Sequence, residues 1–130
     1  MPQPRQALVL SSEQRKDVAI VIVKGRITIG KVEEFDKYLL ALQEDGFRKF
    51  ILDLKGMDHI DSCGIGVLIC FNERIRKANG AIRIANTHPK VQKIFNMMSL
   101  DTFFTIDADV DQALRSIEDA SRGIEPPLAP

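Results

Sequence analysis

Ser62 is the residue in this chain best placed to do chemistry. It sits in Asp61-Ser62-Cys63-Gly64-Ile65-Gly66, where one apolar segment ends and a second begins. A serine hydroxyl at the start of a helix has two uses. It caps the helix by accepting a backbone N–H, or it carries a phosphoryl group near free N–H groups and the positive end of the helix dipole. Cys63 reads as a small residue at the same junction, with a thiol nucleophile as the sharper alternative, because helix N-termini lower thiol pKa values. Cys70 and Arg76 have the Cys-x5-Arg spacing of tyrosine phosphatases, but both fall inside a helical pattern with no phosphate-cradling loop between them. His59 and His88 are the two histidines, and no Asp, Glu or Cys cluster stands at ligand spacing, so no metal and no cofactor are expected. Glu33, Glu34 and Asp36 read as a solvated helix face without acid-base work.

The glycines around Ser62 leave two uses open. A dinucleotide fingerprint would need a third glycine where Ile69 stands. Gly64 and Gly66 therefore either let a helix pack closely on a sheet or let a partner's backbone or nucleotide approach. Met57 reads as packing, or as a contact offered to a partner from an exposed loop beside Ser62. His59 lies in that same loop, as a solvated side chain or at the border of a partner surface.

The elements that must hold these residues follow from periodicity. Residues 50–54 form an apolar run interrupted only by Asp53, as in a buried and usually parallel strand. A loop over 55–61 is expected next, then a helix from Asp61 or Ser62 to the stop signal Asn79-Gly80. Before them come strands at 7–10 and 17–24, joined by the polar stretch 11–16, with Gly25 as the end of the second. A helix over 31–46 follows, with Val32, Phe35, Leu39, Leu40 and Leu42 as its apolar stripe. After them come a strand at 81–85 and a helix opened by Thr87 or His88 with Pro89 in its first turn. Val91, Ile94, Phe95 and Met98 are that helix's apolar face. A strand at 102–106 and a helix capped by Asp107 or Asp109 complete the chain. The expected fold class is α/β, one domain with a mixed, mostly parallel sheet covered by about four helices. Residues 1–7 are expected to be a flexible N-terminus, 8–120 the domain and 121–130 a disordered tail.

Composition excludes several classes of function. With 18 basic and 18 acidic residues the formal net charge is zero, so no direct nucleic-acid partner and no anionic membrane surface is expected. No apolar run approaches the ~20 residues of a spanning helix, and MPQPRQ has no apolar core behind it to serve as a signal peptide. Cys63 and Cys70 lie seven apart, ~10 Å along a helix, beyond disulfide reach. They read as reduced, and the protein as cytoplasmic. A receiver domain is rejected, since Asp53 lies within its strand and an acidic pair after the first parallel strand is missing.

Asp61-Ser62-Cys63-Gly64-Ile65-Gly66-Val67-Leu68 resembles the signature of STAS domains in bacterial anti-sigma factor antagonists, Asp-Ser-(small)-Gly-(apolar)-Gly-(apolar)-(apolar). The resemblance runs over residues 8–117 and takes in Val91, Phe95 and Ser99-Leu100. It implies a non-enzymatic protein of partner switching, a form of transcription regulation by signal transduction. The unphosphorylated chain would bind an anti-sigma factor serine kinase, phosphorylation at Ser62 would release it, and a PP2C-type phosphatase would restore it. The partner surface it implies comprises Thr28, Met57, His59, Asp61, Ser62, Cys63 and Gly64. The chain departs from the family at Gly25-Arg26-Ile27-Thr28, where antagonists commonly carry Gly-Glu-Leu-Asp. An alternative function is a non-phosphorylated STAS scaffold subunit of a sensory or lipid-transport assembly. A third is a small phosphate-handling enzyme using Ser62 or Cys63.

Overall fold

The computed structural model describes residues 7–121. The loose ends expected at 1–7 and 121–130 therefore lie outside the described residues, save residues 7 and 121. The first two strands, β1 (Val9–Arg15) and β2 (Val18–Ile27), form an antiparallel hairpin closed at Lys16-Asp17, with Lys16 at φ 55°. The expected loop over 11–16 is thus mostly strand. Polar residues suit an edge strand because its outer side meets water and charge discourages pairing with other chains. β2 also continues through Gly25 to Ile27 instead of ending there.

β3 (Lys49–Ile60) runs parallel to β2, β4 (Ala81–Ala85) parallel to β3, and the two-residue β5 (Ile106–Asp107) parallel to β4. The sheet is mixed and mostly parallel, in the order β1-β2-β3-β4-β5. Helices α1 (Val32–Glu44), α2 (Ser62–Lys77) and α3 (Pro89–Met97) cover one face. Ala19, Val21, Val23, Phe50, Leu52, Leu54 and Ile84 meet them there. The alternate residues Val18, Ile20, Ile51 and Ala85 meet Ala113 and Ile117 of α4 (Val110–Ser121) on the other. Such two-sided burial is why β2 and β3 read as continuous apolar runs. On α1, Phe35 and Leu39 are buried, whereas Leu40 is exposed. On α3, Val91 and Phe95 are buried, Met98 is exposed, and the His88 ring caps the helix by accepting from the Lys90 N–H at 3.1 Å.

The strand expected over 102–106 is instead a 3-10 turn, Leu100–Thr102, leading into β5. The Phe103 and Phe104 N–H groups both donate to the Leu100 carbonyl, at 3.0 and 2.8 Å, so this backbone is satisfied locally while Phe104 enters the core. Of the two caps expected for α4, Asp109 is the one observed, accepting from the Gln112 N–H at 2.8 Å. Asp107 is buried and receives two bonds from the Arg83 guanidinium, at 2.7 and 3.0 Å.

The expected loop over 55–61 is the largest correction. Residues 55–60 are strand, because β3 spans 12 residues against the 10 of β2, with register shifts at Ile22/Lys24 and Gly25/Arg26. Each shift places an additional β3 residue opposite β2, as a β-bulge does. Strict alternation after Phe50, Leu52 and Leu54 would turn Met57 outward. The first bulge reverses the phase and turns Met57 inward, and the second does the same for Ile60. Met57 is 0% exposed. It belongs to the core and offers nothing to a partner.

Candidate functional site

The C-terminal ends of β2 and β3 carry the Ser62 junction. The Asp61 N–H donates to the Ile27 carbonyl at 3.0 Å, the last link between the two strands, and the Asp61 carbonyl accepts the first helical bond from Ile65, also 3.0 Å. Asp61 is the N-cap of α2, in an extended conformation. Its Oδ1 accepts from the Cys63 and Gly64 N–H groups, each at 3.0 Å. Its Oδ2 accepts from the Ile29 N–H at 2.9 Å, across a sequence separation of 32. One carboxylate thus satisfies two of the orphan donors of the helix and ties the loop after β2 to it.

Ser62 is the first residue of α2 and is exposed. Its hydroxyl is not used in the cap, and it makes no hydrogen bond among the described residues. Of the two caps the sequence allows, the carboxylate serves and the hydroxyl is spare. This sets an expected outcome for stability. Asp61→Ala should cost ~2 kcal/mol, at the upper end for a cap because a third N–H loses its acceptor. Ser62→Ala should stay within ~0.5 kcal/mol. Urea unfolding of the three proteins measures both.

The two glycines divide between the uses the sequence leaves open. A Cβ on Gly64 would lie 2.6 Å from the Ile27 Cγ2 and 2.7 Å from the Ile60 Cγ1. Gly64 is buried, and it lets α2 approach the ends of β2 and β3. The expected partner contact at Gly64 is therefore corrected to packing. Gly66 has nothing within 4 Å of such a Cβ and borders open space. Cys63 is half-buried and Cys70 exposed, both as free thiols.

The rim of the junction comes from both strands. His59 is half-buried and stands opposite Arg26, whose guanidinium is 3.7 Å from the Asp58 carboxylate. Thr28 is half-buried, and its carbonyl accepts from the Lys31 N–H at 2.8 Å, turning the chain into α1. Glu33 lies in the first turn of α1, and the Lys37 ammonium one turn on, bonded to it, holds its carboxyl below the ordinary carboxylate pKa. Between Thr28 and α1 stands Ile29, apolar and 73% exposed, with its N–H on Asp61. Ile29 is not among the residues that type and spacing single out. The available signal was an isoleucine directly before a glycine, between a strand and a helix, at a position no apolar stripe absorbs. The structure brings Thr28, His59, Asp61, Ser62 and Cys63 to one end of the sheet and places Met57 and Gly64 inside.

Among the described residues no helix is long and apolar enough to cross a membrane. The family model described as "STAS domain" matches residues 10–113. BtrV of Bordetella bronchiseptica, named as a candidate anti-sigma factor antagonist, is 23% identical over 97 residues, covering 75% of this chain and 84% of BtrV. A STAS-domain containing protein of Pseudomonas aeruginosa is 28% identical over 86 residues, 65% of this chain and 82% of its own. Among solved structures, an anti-sigma factor antagonist from Mycobacterium paratuberculosis superposes with a TM-score of 0.81 at 21% identity, covering 92% of this chain and all of that one. The unphosphorylated form of the anti-sigma factor antagonist SpoIIAA gives 0.70 at 20% identity, covering 91% and 100%. At these identities the structural matches establish a shared fold.

Proposed function

Because this chain belongs to the STAS domain family, we propose that it is an anti-sigma factor antagonist that works by partner switching. Unphosphorylated, it binds a kinase-type anti-sigma factor and so frees the sigma factor. The kinase then modifies Ser62, the pair separates, and a PP2C-type phosphatase resets the chain. In this role the protein is substrate and ligand, and the catalytic groups belong to its partners.

The observation that carries this reading is the spare hydroxyl of Ser62. A serine that capped its helix would be withdrawn from a kinase by its own hydrogen bond. Here Asp61 holds the cap, and the hydroxyl is exposed at the end of the sheet. Ile29, exposed and held to the same junction through its N–H on Asp61, is the apolar residue a partner would cover there. Thr28, His59 and Cys63 form the polar surround. Arg26, where the family commonly has glutamate, changes the charge of the rim and with it the choice of partner.

Incubation with the cognate anti-sigma factor kinase and ATP should add one phosphate, located at Ser62 by mass spectrometry. Ser62→Ala should abolish the labelling. Labelling that survives that substitution, or none by any anti-sigma kinase of the host, would remove the proposal.

A further inference from the structure

The geometry points to Asp61 as the positioning residue of the switch: its carboxylate occupies the anion seat at the start of α2, so a phosphate on Ser62 stays outside it. This inference rests on the proposed modification of Ser62 and concerns what the phosphate meets once attached. A helix N-terminus ordinarily offers its free N–H groups to a phosphate. Here the Cys63 and Gly64 N–H groups already donate to Asp61 Oδ1, and the Ile65 N–H donates to the Asp61 carbonyl. The Asp61 N–H is spent on Ile27. Only the N–H of Ser62 itself has no partner among the described residues.

A phosphate could take the Cys63 and Gly64 donors only by displacing Asp61. That displacement would also free the Ile29 N–H, the third donor on the same carboxylate. With Asp61 in place, the phosphate adds its charge next to a fixed carboxylate and stays exposed. The switch then acts through charge and bulk at the surface, with the loop at Ile29 unmoved. It also follows that Asp61 keeps the unmodified hydroxyl of Ser62 free for transfer.

The test installs phosphoserine at position 62 during translation, so its outcome does not depend on any kinase. Phosphorus NMR then follows the second ionisation, and proton–nitrogen spectra follow the amides. In the wild-type background the phosphate should titrate at or above its ordinary value of about 6, because the neighbouring carboxylate disfavours the dianion. The Cys63, Gly64 and Ile29 amide signals should not follow that midpoint. Asp61→Asn keeps a carbonyl oxygen for the cap and removes the charge. Its midpoint should fall while the Cys63 and Gly64 amides still do not follow. Asp61→Ala empties the seat. There the midpoint should fall by about one unit or more, with both amides now tracking the phosphate. A wild-type phosphate that titrates well below 6 with both amides following would overturn the inference. So would an Asp61→Ala protein whose amides ignore the phosphate. A failed kinase assay beside the expected NMR result would count against modification of Ser62 and leave the role of Asp61 standing.

Discussion

Met57→Lys should prevent the chain from folding. The Met57 side chain is 0% exposed in the main core, on the inward-turned segment between two bulges of β3. Lysine there must either bury an unpaired ammonium or give up its proton, and both cost several kcal/mol. An effect above ~4–5 kcal/mol is as large as the whole stability of a domain at the low end of the usual ~5–15 kcal/mol. Met57→Leu keeps volume and polarity and should cost less than ~1.5 kcal/mol. Circular dichroism and urea unfolding of the two variants decide the matter. A Met57→Lys chain with a near-wild-type unfolding midpoint would mean that residues 55–60 are an exposed loop after all.

Phosphorylation of Ser62 should weaken partner binding by ~100-fold or more. The modification adds about −1.5 to −2 charges at pH 7, at an exposed position beside the apolar Ile29. Buried in an interface, charge without a countercharge, or facing like charge, costs several kcal/mol, and each 1.4 kcal/mol is tenfold in Kd. The effect belongs to binding alone. Since Asp61 holds the cap, Ser62→Asp should leave the unfolding midpoint nearly unchanged. One carboxylate carries less charge than a phosphate, so that variant should reproduce part of the loss. Ser62→Ala should bind like the unmodified chain.

Much of the fold is legible because helix and strand periods are local properties. The apolar stripe of α1, the stop at Asn79-Gly80, the strand at 81–85 and Pro89 at the start of α3 all speak for themselves within a few residues. The errors lie where a distant partner decides. Polar residues 11–15 are strand because β2 pairs with them from one side. Residues 55–60 are strand because two bulges let β3 keep pace with β2. Leu54, Met57 and Ile60 recur every third residue, which fits neither a helix nor a regular strand, and that irregular spacing is the trace the bulges leave in the sequence. The Asp-Ser pair points to the right junction. The Asp61 carboxylate that caps the helix also holds the Ile29 N–H, 32 residues away, and no local pattern encodes that bond. Gly64 and Gly66 look alike in sequence, and only the positions of Ile27 and Ile60 separate them.

Calorimetric titration of the anti-sigma factor kinase with this chain, unmodified and quantitatively phosphorylated at Ser62, tests the central claim most directly. Partner switching through Ser62 predicts binding of the unmodified chain and of Ser62→Ala with matching affinity. It predicts a Kd at least ~100-fold weaker for the phosphorylated chain. Equal affinity of the phosphorylated and unmodified forms would contradict the account and leave Ser62 as an exposed first residue of α2 with no part in a switch.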